Sequence, residues 1–246
     1  SQQAKMLTEP DGTILNVNGD GYGVGWYSDE QVPCVVKGKD PIWNNENLKN
    51  ICHHTSASLF MAHVRLTTTG TAQRENSHPF SHENWLFQHN GFVSEFPSIR
   101  RALQMEIAPE LYPHLKGTTD SETFFLLALT YGLKKHPKKA IEKLVERLKK
   151  AVEPQNEGCF NLSCVMSDGE KLYTVRTSHN VTPHTQFYST SPDCMQDFTE
   201  DTFLPKNSAL VVSEPLNSLS DKWQEVPPDS FVTISGGDVN VQGLNA

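Results

Sequence analysis

The chain has 246 residues, 37% of them hydrophobic and 20% charged, with a formal net charge of −8. This length can bury one large core, and no run approaches the roughly eighteen consecutive apolar residues that would span a bilayer, so a membrane partner is excluded. The acidic balance excludes a nucleic-acid partner, because no basic field is present to neutralise phosphates.

In chain order, residues 1–19 hold no run that reads as a core strand, and the chain reads as starting in mid-loop, with further residues expected upstream of Ser1. Residues 22–27 and 32–37 read as strands around a Ser28-Asp29-Glu30 turn, residues 44–53 as a short helix with a polar face, and 58–65 as a buried strand. Gly19, Gly21, Gly23 and Gly25 alternate along the first strand. No helix follows them, so they are not a nucleotide loop; they predict close approach of another chain segment. Residues 85–89 form a strand that the turn dipeptide Asn90-Gly91 is expected to stop.

Helical spacing covers 96–105, 121–131 and 139–152. Asp120 reads as the N-cap of the second helix, an acceptor placed just before an apolar run. The third has apolar residues at 141, 144, 145, 148 and 152, and its lysines and arginines read as a solvated face. Beyond Phe160 come short strand-like runs at 161–167, 172–177, 186–189, 209–213 and 231–234, separated by turn residues. Strands, then helices, then strands again predict an α+β fold of two stacked sheets between helical layers, as a single domain over 1–246.

Cys34, Cys52, Cys159, Cys164 and Cys194 are odd in number, scattered and free of Cys-x-x-Cys spacing. They read as free thiols of a reducing, cytoplasmic compartment, and the start of the chain has no apolar signal region. The histidines at 53, 54, 63, 78, 82 and 89 lack the helical i, i+4 spacing of a metal site. Neither a metal nor any other cofactor is expected.

Chemistry concentrates between residues 62 and 122. Arg65 ends an apolar strand, Asn90-Gly91 sits at a strand end, and Asp120 opens a helix. Each has an ordinary structural role: a salt bridge, a hairpin turn, a helix cap. Together they suit an α-amino acid. The guanidinium takes the carboxylate in two-point contact, the aspartate takes the ammonium beside a helix N-terminus, and the corner supplies an amide and a backbone N–H to a developing oxyanion. Thr67, Thr68 and Thr69 can add hydroxyls to the carboxylate.

These motifs resemble, in family order, the class II glutamine amidotransferases, which are N-terminal-nucleophile hydrolases. The resemblance rests on 18–27, the Arg65 segment, His78-Pro79-Phe80, His89-Asn90-Gly91, Thr119-Asp120-Ser121-Glu122, and Ser213-Glu214-Pro215-Leu216 followed by Trp223. It spans roughly Asn18 to Ile234 and is closest to the stand-alone branch, which has no fused synthase domain and whose relatives act on γ-glutamyl compounds.

The resemblance implies a four-layer α/β/β/α sandwich of two mainly antiparallel sheets. It implies that Arg65 and Thr68 bind the substrate α-carboxylate, that Asp120 binds the α-ammonium, and that Asn90 and Gly91 form the oxyanion hole. Leu66 and Thr69 stand where glucosamine-forming relatives have Trp and His. The family's nucleophile is an N-terminal cysteine activated by its own α-amine, whereas residue 1 is Ser. N-terminal serine serves in related hydrolases, but the expectation is a catalytic cysteine upstream of this sequence. The implied activity is hydrolysis of the γ-amide of glutamine or a γ-glutamyl compound through a cysteine thioester, with a non-catalytic γ-glutamyl-binding module as the alternative. A separate acceptor subunit or a homo-oligomer stays open.

Overall fold

The computed structural model describes residues 18–66, 73–154, 157–195, 204–217 and 220–246. The first sheet is built on β1 (Tyr22–Tyr27), flanked antiparallel by β2 (Cys34–Gly38) and β3 (Leu59–Val64) in the order β2-β1-β3. Alternation puts Gly23 and Gly25 on its inner face. A Cβ on Gly23 would meet the His78 carbonyl oxygen at 1.9 Å, and one on Gly25 would meet Pro79 Cγ at 2.9 Å. The glycines thus let the 78–79 segment cross directly over β1, as their spacing predicts. Between β2 and β3 lies α1 (Glu46–His54), capped by the Asn45 side chain, which accepts from the Leu48 N–H at 2.8 Å.

The central sheet comprises β4 (Phe80–His82), β5 (Trp85–Val93), β6 (Phe160–Ser167), β7 (Leu172–His179) and two strands near the C-terminus. Between β5 and β6 run α2 (Phe96–Gln104), α3 (Asp120–Thr130) and α4 (Pro137–Val152). A second small sheet contains β8 (Phe187–Ser189), β9 (Leu210–Val212) and β10 (Gln224–Glu225) in the order β10-β8-β9. The chain closes with β11 (Ser230–Ser235) and β12 (Asp238–Gly243), completing a six-stranded antiparallel sheet in the order β12-β11-β7-β6-β5-β4.

One face of the six-stranded sheet is covered by helices. Phe87, Phe160, Leu162 and Val175 meet Leu103 of α2, Phe124 and Leu127 of α3, and Leu144 and Leu148 of α4 in a continuous apolar cluster. Each such fully buried side chain contributes about 1.5–3 kcal/mol. The α4 residues at 141, 144, 145, 148 and 152 are all buried, so its 3.6-residue stripe faces the core as predicted. The opposite face packs on the small sheets: Leu86 and Val165 against Tyr27 and Met61, and Val232 and Ile234 against Tyr188 and Val226. With α1 outside, the fold is α+β, an α/β/β/α sandwich. Its second β layer consists, among the described residues, of two separate three-stranded sheets.

Three local expectations are corrected. The fifth strand does not stop at Asn90-Gly91: these residues lie inside β5, opposite Ser163 and Leu162 of β6. The turn-forming tendency of the pair is overridden by the sheet ladder. Asp120 is not the N-cap of α3. Thr119 holds that place, its Oγ1 accepting from the Glu122 N–H at 3.2 Å, and Asp120 is the first helical residue. Finally, β4, β10 and β12 were not expected from the sequence.

Candidate active site

Alternation along β5 sends Phe87 and His89 toward the helices, while Leu86, Gln88 and Asn90 face the small sheets. At the Asn90 end the two β layers part around a cavity of about 330 Å³. His63, Gln88, Asn90, Ser163, Gln186 and Ser213 contribute to its wall. The edge strands β3 and β9 both border it, through 62–64 and 211–212. Asn90 Nδ2 approaches Ser213 Oγ at 3.4 Å. Gly91 is held against the next strand: a Cβ there would meet the Asn161 carbonyl oxygen at 2.1 Å and His89 Nε2 at 2.4 Å. No larger residue fits at that corner without moving backbone.

Arg65 directly follows β3. Its backbone is fixed at both polar atoms, the N–H donating to the Gly21 carbonyl at 2.8 Å and the carbonyl accepting from the Asp20 N–H at 2.9 Å. The residue is 7% exposed, and Nη1 is buried without a hydrogen-bond partner among the described residues. Burial lowers the guanidinium's proton affinity, and the negative charges of Asp20 and Asp120 oppose that change. Asp120 is therefore within electrostatic reach of Arg65, yet the two form no ion pair among the described residues. A buried cation left in this way carries a desolvation penalty that an anionic ligand relieves.

Asp120 is anchored from two sides. Its Oδ1 accepts from the Ser121 N–H at 2.7 Å and lies 3.2 Å from Ser121 Oγ, while Oδ2 accepts from the Val93 N–H of β5 at 3.2 Å. Next to it, His89 bridges Ser121 Oγ at 2.9 Å and the Asn161 carbonyl at 3.0 Å. Burial is the first cause that holds His89 below the usual imidazole range, with the Asp120 charge pulling the other way. His63, which lines the cavity, is pushed down to about 4 by burial and by the neighbouring His89 and Arg65. These imidazoles are neutral at pH 7.

The structure thus brings Arg65 and Asp120 within each other's field, and Asp120 is tied to β5, the strand of His89, Asn90 and Gly91, through the Val93 N–H. Of the predicted site residues Asn90 lines the cavity, with His63 and His89, whereas Arg65, Gly91 and Asp120 are not among its wall residues. Thr67, Thr68, Thr69 and Ser1 lie outside the described residues. None of the five cysteines is among the residues of the cavity wall. Cys164 is fully buried, which pushes its thiol strongly up and away from the nucleophilic thiolate. Among the described residues no group of three His, Cys, Asp or Glu converges as a metal site, and no helix is long and apolar enough to cross a membrane.

Sequence reasoning passed over two wall residues, Gln88 and Gln186, whose side-chain oxygens are buried without partners. The only available signal was a glutamine inside each apolar strand run. Ser213 was visible as the end of the 209–213 strand-like run and as part of a family-like segment, neither of which gave it a role.

The α/β/β/α sandwich of antiparallel sheets is the architecture of the N-terminal-nucleophile hydrolases. The family model for class II glutamine amidotransferases matches residues 8–246, and the chain belongs to that family. It is 30% identical to the probable glutamine amidotransferase DUG3 of Saccharomyces cerevisiae, over 93% of this chain and 77% of that protein. A solved glutamine aminotransferase class-II domain protein from Silicibacter pomeroyi superposes with a TM-score of 0.71 at 30% identity, covering 92% of each chain. The γ-glutamyl-hercynylcysteine sulfoxide hydrolase of Mycolicibacterium smegmatis is 32% identical over 48% of this chain and 47% of its own length.

Proposed function

We propose that this protein hydrolyses the γ-amide of glutamine or of a small γ-glutamyl compound. Arg65, with Thr68, takes the α-carboxylate, Asp120 takes the α-ammonium, and Asn90 Nδ2 with the Gly91 N–H receives the carbonyl oxygen as it becomes an oxyanion. The observation that carries the reading is the buried Arg65 guanidinium, with Nη1 short of a partner and the charges of Asp20 and Asp120 within electrostatic reach. A zwitterionic head group satisfies the guanidinium and the Asp120 carboxylate at once.

In this mechanism a cysteine thiolate attacks the γ-carbonyl carbon, and the tetrahedral intermediate collapses with cleavage of the C–N bond. The nitrogen leaves with a proton from the nucleophile's own α-amine, and water then cleaves the thioester. The thiol is proposed to come from a cysteine outside this sequence, docked in the cavity between β3 and β9. Two edge strands facing one cavity support such a position. The Mycolicibacterium relative, by its name, acts on a γ-glutamyl compound, which favours γ-glutamyl amines beside glutamine itself. The amine or ammonia passes to water or to a separate acceptor subunit. Five unpaired cysteines fit a reducing, cytoplasmic setting.

The test is a hydrolysis panel of glutamine and γ-glutamyl amides, with sequencing of the mature N-terminus from the native host. Removing one member of a buried charged contact costs about 2–5 kcal/mol, so Asp120→Ala should raise KM roughly 100-fold. An unchanged KM overturns the role of Asp120. Tight binding without turnover in protein with a mature Ser1 start would establish the binding-module alternative instead.

A further inference from the structure

His89 sits at the junction of the two halves of the proposed site without being one of its ligands. Its ring touches Ser121 on one side and Asn161 on the other. It is 3% exposed, and Phe124 packs at 5.6 Å between ring centroids. A carbonyl oxygen can only accept, so Nε2 carries the proton that meets Asn161 O at 3.0 Å. A neutral ring has one such proton. Nδ1 is then a bare lone pair, and Ser121 Oγ donates to it at 2.9 Å.

That assignment has a consequence for Asp120. Ser121 Oγ also lies 3.2 Å from Asp120 Oδ1, and it has one proton to give. While the Ser121 hydroxyl donates to His89 Nδ1, Oδ1 accepts only the Ser121 N–H, and its remaining lone pair stays available to a cation. On the other side, Asn161 is the residue whose carbonyl would collide with any side chain at position 91. The imidazole therefore joins the carboxylate that faces the ammonium to the backbone that fixes the Asn90-Gly91 corner.

We infer that His89 is a positioning residue that keeps the Ser121 hydroxyl turned away from Asp120, leaving the carboxylate free to bind a substrate ammonium, and braces the Gly91 corner through Asn161. This rests on the proposed γ-glutamyl reading. It separates into two branches by substitution. His89→Gln places its amide near the Nε2 position, preserving the Asn161 contact and losing the acceptor for Ser121. The freed hydroxyl then turns to Asp120 and competes with the ammonium. His89→Asn places an acceptor near Nδ1, preserving the Ser121 contact and losing Asn161.

The experiment is calorimetric titration of the full chain with L-glutamine, together with ¹⁵N NMR of the His89 ring in the unliganded protein. We expect His89→Gln to weaken glutamine binding about tenfold, the scale of one hydrogen bond to a charged group. Ser121→Ala alone should bind within about twofold of wild type, and Ser121→Ala added to His89→Gln should restore affinity, because the competing hydroxyl is gone. In hydrolysis assays His89→Asn should lower kcat with little change in KM, and His89→Gln the reverse. A merely structural role predicts neither the rescue nor the split. Equal binding by His89→Gln and wild type, or failure of the double variant to recover, overturns the inference. So does a ring protonated at Nδ1 in the NMR spectrum, which needs neither ligand nor variant. Failure of wild-type protein to bind glutamine sinks the γ-glutamyl reading, and with it the role of His89 in serving that ligand.

Discussion

The two faces of the six-stranded sheet differ in kind. Toward the helices, Phe87, Phe124, Phe160 and Leu144 are fully buried in one apolar cluster. Toward the small sheets, Leu86 and Val165 close one end, while Gln88, Asn90 and Ser163 on the same two strands line a cavity. Arg65 Nη1, His63 Nδ1, Gln88 Oε1 and Gln186 Oε1 are all on that side or beside it, buried and without hydrogen-bond partners among the described residues. Each such atom costs about 1–3 kcal/mol in the unliganded fold. One face accumulates stability, and the other holds polar groups at a loss that a ligand of matching chemistry can recover. A strand with a period of two residues lets β5 serve both.

The largest effect that would test this division is on the apolar face. Leu144→Ala, fully buried on α4, should destabilise the protein by up to about 5 kcal/mol, through lost burial and the cavity left behind. Glutamine affinity of the folded fraction should stay within about twofold. Urea unfolding paired with calorimetric titration reads both. If affinity falls in step with stability, the two faces are one mechanical unit and the contrast fails.

A slightly smaller effect is expected at the polar face, with the opposite pattern. Asn90→Ala removes the side-chain donor proposed for the oxyanion, which is worth about 3–4 kcal/mol of barrier. Turnover of glutamine should drop by about 10²–10³-fold while the thermal midpoint and glutamine affinity scarcely change. Because Asn90 Nδ2 makes only a long contact with Ser213 Oγ at 3.4 Å, its loss removes little from the resting fold. A large fall in melting temperature would assign Asn90 to stability instead.

The sequence was most informative where local pattern and burial agree. The α4 stripe and the alternating glycines of β1 announce their own packing, because each repeats at the period of its element. Asn90-Gly91 misled for a physical reason: a dipeptide that suits a turn is equally able to lie in a ladder when Ser163 and Leu162 are opposite. β4 and β10 are three and two residues long, too short to show a period, and β12 is largely exposed at a sheet edge, where burial imposes little pattern. In the site, Arg65 and Asp120 were legible as residue types with a shared chemical use. The link from His89 through Ser121 to Asp120 was not, since it spans 32 positions of chain and depends on which side of β5 meets α3. Nor could sequence alone show that Gln186 buries an acceptor without a partner.

The smallest expected effect sharpens the contrast by asking whether the polar face is dry in the resting protein. His63 is held down to about 4 by burial, against about 6.5 in an unfolded chain. Between those values the unfolded state binds the proton and the folded state does not. Stability supplied by the neutral ring is thus whole above pH 6.5 and falls as pH drops toward 4, by roughly 1.4 kcal/mol per pH unit for this group. Below about pH 4 the folded ring is also protonated, and its contribution to the slope ends. His78, lowered for the same first reason, acts in the same direction. Denaturant unfolding at pH 6.5, 6.0, 5.5 and 5.0 stays above the range of most carboxylates, and His63→Gln should have a shallower slope than wild type by about that amount. Equal slopes would mean that water already reaches His63 and lets it titrate normally. The face opposite the helices would then be a solvated cleft, and the unpartnered groups around Arg65 would carry less of the penalty that ligand binding is proposed to relieve.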